Sequence, residues 1–357
     1  MDRIEDLKHL AFEKKNLDGF LVTNPCNLFY LTGTPGAFCM LVQKHGKSIL
    51  YSYGVNYEQT KAEAKGPAVE LIKRDEVPGV KFAKQAKASK IRKLGLDDMS
   101  HSFYRQLAKE MRGQTRLKLQ VGLVWELRKV KDEKELELMR KAGKLTVAGM
   151  KVASESIRPG VTEIEVAGEI EYAIRKGCGY GTAFETIVAS GVRSAYPHGG
   201  CADRKIQNGD LVVVDVGAAY EFYRSDMTRT FAAGKPTAKQ KRLYEVERLA
   251  QQKAYEAIKP KARAKDVDSA ARRVIEDAGY GEYFVHGLGH GVGLDIHEPP
   301  TLSQTSKDRL AVGNVVTDEP GIYLPGHWGV RIEDTVAVRR RVAEKLTDGF
   351  YSLEAEK

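Results

Sequence analysis

The run Leu211-Val212-Val213-Val214-Asp215-Val216 places a carboxylate inside a segment that reads as a buried strand. Burying an ionised acid is costly unless something offsets its desolvation. A second acid stands in a similar setting: Asp226, within Arg224-Ser225-Asp226-Met227-Thr228-Arg229-Thr230-Phe231. A short hairpin around Tyr220-Glu221 joins the two segments. It is expected to bring Asp215 and Asp226 across from each other on one face. One such acid can be hydrogen-bonded at a strand end. Two on one hairpin point to a bound cation.

Three later segments supply what a cation site needs. His286-Gly287-Leu288-Gly289-His290-Gly291-Val292-Gly293 continues to His297, gathering three of the chain's eight histidines. Its glycines imply close backbone approach. His290, between two glycines, is the expected metal ligand. His286 and His297 are better placed to touch substrate or an attacking water. Glu319 ends a strand before the Pro320-Gly321 turn, and Glu333 lies mid-strand in Val330-Arg331-Ile332-Glu333. Arg331 shares the face of Glu333 and can orient carboxylates through bidentate bonds. Asp318 and Asp334 point the other way and are not expected as ligands. His198, in the loop Tyr196-Pro197-His198-Gly199, stands a loop's length before the Asp215 strand, within reach of a substrate carbonyl.

Asp215, Asp226, His290, Glu319 and Glu333 offer four carboxylates and one imidazole. That set suits two divalent cations side by side, with positions left open for substrate. The chemistry expected is metal-assisted hydrolysis of a peptide bond.

A chain of 357 residues suggests two domains. Residues 1–125 read as an α/β domain. A helical start, Met1 to Lys15, leads to strands at Gly19 to Val22, Phe38 to Gln43 and Ser48 to Tyr53. A turn-rich segment with Asn24-Pro25 and Thr34-Pro35-Gly36 lies between the first two strands. Its histidines, His9, His45 and His101, have no ligand company and read as surface residues. Residues 126–357 form the catalytic domain. Asp132 is the expected N-cap of its first helix, and Thr162 with Glu165 a capping box for the next. Further helices are expected at Ala238 to Lys259 and Val267 to Ala278.

The net charge of +9 is spread among Lys, Arg and Glu, and no nucleic-acid-binding motif accompanies it, so no nucleic acid partner is expected. No stretch reaches the roughly 20 apolar residues that span a bilayer, and the charged start lacks an apolar signal segment. The scattered cysteines, Cys26, Cys39, Cys178 and Cys201, read as reduced, mostly buried thiols of a cytoplasmic protein.

The contexts DVGAAYEFYRSDMTRTF, HGLGHGVGLDIHE, TDEPGIY and GVRIEDTV resemble those of the pita-bread metallopeptidases, the family of methionine aminopeptidase, aminopeptidase P and prolidase, and in particular its proline-specific branch. The resemblance covers about residues 130–350 and implies an α+β catalytic domain behind a smaller α/β creatinase-like domain. It implies that Asp226, His290, Glu319 and a bridging Glu333 hold one metal. Asp215, with the bridging Asp226 and Glu333, holds the other. Manganese or cobalt is expected, with zinc as a further choice. It also implies Glu319 as general base and acid, and His198 and His297 as oxyanion and carbonyl contacts. His286, Tyr323 and Arg331 would support the site or position substrate. The substrate expected is a proline-containing peptide, and the protein a homodimer. Many prolidases carry an Arg shortly after the histidine matching His297. Here Glu298-Pro299-Pro300-Thr301 follows, with no cation before Lys307. That leans the expectation toward Xaa-Pro cleavage of longer peptides, with a prolidase confined to dipeptides as the alternative.

Overall fold

The computed structural model describes residues 2–355. Met1, the expected first residue of the opening helix, and Glu356 and Lys357 at the end of the second domain lie outside the described residues. The chain divides into two compact units, Met1–Arg128 and Lys129–Lys357.

In the first unit an α-helix, Arg3–Lys8, capped by Asp2, runs on as a π-helix, His9–Lys14. Six strands form one sheet in the order Ala68–Ile72, Ile49–Tyr53, Cys39–Gln43, Gly19–Val22, Lys93–Leu96, Arg116–Leu119. Cys39–Gln43 is antiparallel to both its neighbours, and the other pairings are parallel. Gly19–Val22 and Cys39–Gln43 are buried at every position. This is why their apolar residues run without alternation. The segment expected to be turn-rich contains a helix, Pro25–Thr32. Asn24 accepts a hydrogen bond from Asn27 N as its N-cap, and Pro25 takes the first helical position, where its missing N–H costs nothing. His9, His45 and His101 are exposed.

The second unit opens with the helix Glu133–Ser156, whose capping box joins Asp132 and Glu135. It packs on Glu163–Lys176, capped by Thr162 and Glu165. A second helix pair, Ala238–Ala257 with Ala264–Asp277, follows later in the chain. Each pair covers one apolar cluster. Met150, Ile170, Val214 and Phe231 lie in the first, and Leu243, Ala271, Val316 and Val336 in the second.

The strands beneath carry the site. Ile187–Ser190, Leu211–Val216 and Met227–Ala232 form one antiparallel sheet. Glu298–Leu302, Gly289–Gly291, Val315–Asp318, Asp334–Ala337 and Glu344–Lys345 form another, and Gly321–Leu324 pairs with Trp328–Arg331.

Two expectations need correction here. The acids of the hairpin are not directly opposed, because Thr228 is the register partner of Asp215. Asp226 precedes its strand and is a diagonal neighbour on the same face. The short strands Ala218–Tyr220 and Tyr223–Arg224 continue the same register to a turn at Glu221-Phe222, one residue later than expected, which moves each pairing by two residues. Glu333 is not mid-strand either. It lies in the break between Trp328–Arg331 and Asp334–Ala337, where the chain passes from one sheet to the next. Of the cysteines only Cys39 is fully buried, and Cys178 is exposed.

Candidate metal centre

His290 occupies the middle of the three-residue strand Gly289–Gly291, squeezed between Glu298–Leu302 and Val315–Asp318. A Cβ on Gly289 would strike Thr317 O, and one on Gly291 would strike Glu298 O. These contacts account for the glycines on either side of the histidine. The Nδ1 of His290 lies 3.1 Å from Gly291 O. A carbonyl only accepts, so Nδ1 carries a proton, and Nε2 is the ring nitrogen that faces the acids. Nε2 is 3.2 Å from Glu319 Oε1 and 3.8 Å from Asp226 Oδ2.

Asp226, His290 and Glu333 each bring a ligand atom within 4.8 Å of the others. Asp226 and Glu333 are buried, at 4% and 1% exposure. Asp215 Oδ1, Asp226 Oδ1 and Glu333 Oε1 are buried without a hydrogen-bond partner. Partnerless carboxyl oxygens converging beside an imidazole nitrogen fit a bound cation.

The remaining oxygens are held firmly. Arg331 Nη2 donates to Asp215 Oδ2 at 2.7 Å, and its Nη1 donates to the Tyr323 hydroxyl at 2.8 Å. Thr228 Oγ1 donates to Glu333 Oε2 at 2.6 Å and accepts from Arg331 Nε at 3.1 Å. Thr317 Oγ1 donates to Glu319 Oε1 at 2.9 Å and accepts from His290 N at the same distance. His286 Nδ1 donates to Gly287 O, so its Nε2 accepts from Tyr323 at 3.0 Å. Burial, then the charge of Asp215, pushes Asp226 well above the usual carboxylate range. Burial and then Asp226 do the same to Glu333. Burial also raises Asp215, against the charge of Arg331. Burial works against the charge of His290, but its hydrogen bond to Glu319 and the charges of Glu319 and Asp226 raise it to about 9. Glu319 is drawn down to about 2 despite burial, through the hydrogen bond and charge of His290.

Every expected site residue except Tyr323 lines one cavity of about 540 Å³, and Tyr323 stands behind it on Arg331 and His286. His198 and His297 reach that cavity, with the rings of His290 and His297 4.2 Å apart. Burial and then the neighbouring His290 lower the pKa of His297. Asp318 and Asp334 do not line it. A larger cavity, about 860 Å³, lies in the first unit beside Phe38, Tyr53 and Phe103, with Asp98 its one acid. Volume therefore does not mark the site, whereas convergent ionisable groups do. Sequence reasoning missed Thr228 and Thr317. Their positions two residues from Asp226 and Glu319, on the same faces, were a usable signal.

Paired β-rich halves under two helix pairs, with an acid-lined cavity, form the pita-bread architecture of metal-dependent peptidases. Residues 137–340 match metallopeptidase family M24, and residues 3–130 match the creatinase/prolidase N-terminal domain, so the chain belongs to family M24. It is 39% identical over 348 residues to the Xaa-Pro dipeptidase of Pyrococcus furiosus, covering 97% of both chains. It is similar to the structure of a Xaa-Pro dipeptidase from Bacillus anthracis, with a TM-score of 0.93, 36% identity and 99% of each chain covered. The X-Pro aminopeptidase from Thermotoga maritima is also similar, with a TM-score of 0.87, 34% identity and 96% and 99% covered. No described helix is long and apolar enough to cross a membrane.

Proposed function

We propose that this protein is a dinuclear metallopeptidase that hydrolyses Xaa-Pro dipeptides. The observation that carries the reading is the set of partnerless carboxylate oxygens on Asp215, Asp226 and Glu333 around His290 Nε2. Asp215, Asp226, His290, Glu319 and Glu333 would hold two divalent ions, manganese or cobalt by the hardness of an oxygen-rich set. Bound there, the ions would polarise the scissile carbonyl and lower the pKa of an attacking water.

The chain's own groups do the rest. Arg331 and Thr228 fix Asp215 and Glu333, so the acids need no reorganisation. Glu319 takes the proton of the attacking water and passes it to the leaving imide nitrogen. Its shift to about 2 depends on a charged His290, and a ring that ligates through Nε2 gives up that charge. His198 and His297 face the cavity as donors toward the oxygen that becomes negative. An imide bond to proline lacks an N–H and has a fixed φ, so a pocket shaped for it rejects other residues. A homodimer in the cytoplasm remains the expected setting.

The names of the two dipeptidase relatives support the dipeptide reading over the lean toward longer peptides. One observation favours that second reading. Among the residues lining the cavity, the single Lys or Arg is Arg331, committed to Asp215, Tyr323 and Pro197 O. Thr301 and Ser303 line the wall instead, so a dipeptide's carboxylate would meet hydroxyls. Specificity constants for Ala-Pro, Ala-Pro-Gly and Ala-Ala with added manganese decide the matter. Ala-Pro should lead and Ala-Ala should be inert. A higher value for Ala-Pro-Gly establishes the second reading, and rapid Ala-Ala cleavage overturns both.

A further inference from the structure

Glu163 is the first residue of the helix Glu163–Lys176, and its side chain is fully buried. It does not line the cavity, and no step above uses it. Its carboxylate nevertheless gathers both ends of the loop that carries His198. Oε1 accepts from Ser190 N at 2.8 Å, Ser190 Oγ at 2.7 Å and Arg193 Nε at 3.3 Å. Oε2 accepts from Arg193 Nε at 3.1 Å and from Ala202 N at 2.9 Å. Ser190 ends a strand, and Ala202 lies beyond the loop.

Arg193 carries the tie inward. Its Nη2 donates to Gly199 O at 2.6 Å, one residue after His198. On the other side, Pro197 O accepts from Arg331 Nη1 at 3.2 Å. The backbone of His198 is thus gripped on both flanks. No hydrogen bond holds its ring among the described residues, so the loop alone aims it into the cavity.

We propose that Glu163 is a positioning residue for His198, with Arg193 as its arm, so that one buried carboxylate sets the pose of the imidazole facing the substrate carbonyl. The inference rests on the role given to His198 above. A charged acceptor meeting five donor contacts is well suited to this work, because charge-assisted bonds are short and strong. Glu163→Gln keeps the volume but turns an NH2 toward groups that are themselves donors.

Two readouts test it on the metal-loaded protein. Hydrogen exchange reads the loop without reference to activity. In Glu163→Gln the amides of 190–202 should exchange about tenfold faster or more, while those of 164–176 stay unchanged. The second is a double-mutant cycle on kcat for Ala-Pro. Glu163→Gln should lower kcat about tenfold at unchanged metal content, and by less than about twofold in a His198→Ala background. Equal losses in both backgrounds, or unchanged loop exchange, overturn the clamp. Wild-type kcat in His198→Ala overturns the role of His198 and with it the purpose of the clamp, even where exchange rises. Arg193→Gln cuts only the inner arm and should show the same non-additivity, which keeps the test open if Glu163→Gln folds poorly.

Discussion

On the cavity side of the second unit, four carboxylates share one guanidinium and one imidazole, and three of their oxygens have no partner. On the opposite side of the same strands, Asp334 is saturated. Its Oδ1 accepts from Arg229 Nη2 at 2.9 Å and from Thr347 at 3.3 Å. Its Oδ2 accepts from Gln251 at 3.1 Å, from Lys345 at 2.8 Å and from the Tyr351 hydroxyl. Glu333 and Asp334 are adjacent in the chain, yet Glu333 is pushed well up by burial and Asp226. Asp334 is held below its usual range despite burial, by Arg229 and then Lys345. An acid that the protein has already paired holds the fold, whereas acids left short of partners around a cavity await a cation. Asp318 sharpens the rule. Both its oxygens lack partners, and burial and then Asp334 raise its pKa well above normal, but it does not line the cavity of the site. Missing partners mark a ligand only where there is room for one.

The contrast is most exposed to metal removal. A chelator should abolish Xaa-Pro hydrolysis, and manganese or cobalt should restore it. The melting temperature should follow, since an ion present at a hundred times its dissociation constant stabilises by about 2.7 kcal/mol. Full activity in metal-free protein would overturn the assignment. His290→Ala should lose the metal as well.

Asp334→Ala tests the other face. It strands Arg229 and Lys345 in the interior, and breaking such a buried network costs about 3–5 kcal/mol. Urea unfolding should show that loss, while the folded fraction keeps its metal. Metal loss at unchanged stability would mean that the two faces are not separate.

His198→Ala and His297→Ala should both retain metal and lose roughly a hundredfold in kcat, the scale of one oxyanion donor. Metal content measured beside kcat decides whether either imidazole was a ligand instead.

The smallest effect is on pH dependence. In metal-free protein the pKa of His290, about 9, lies above the unfolded value of about 6.5. Its pairing with Glu319 therefore stabilises fully below about 6.5 and is lost as pH rises toward about 9. The same proton must leave before Nε2 can ligate. Apparent manganese affinity should then rise with pH across that window, by up to about tenfold per unit. Calorimetric titration that shows no proton release would remove His290 from the ligand set.

Local chemistry was legible in the chain wherever it depends on residues close in sequence. The N-cap at Asp132 and the capping box at Thr162/Glu165 formed as read, because a side chain and an amide three residues apart meet in any first helical turn. The buried run Leu211–Val216 and the glycines around His290 were legible for the same reason. Asn24-Pro25 was misread as a turn because Asn and Pro open turns and helices alike. What lies between distant segments was not written locally. The place of the turn, one residue later than expected, decided that Asp215 faces Thr228, with Asp226 diagonal to it. Tertiary contact alone placed Arg331 on Asp215, 116 residues away, and closed the loop of His198 over Glu163. The sequence by itself determined which groups exist and which are too costly to bury without a partner. Only the folded structure decided which of them found that partner in the protein, because hydrogen bonds and charges act over a few ångströms that the chain spans by folding.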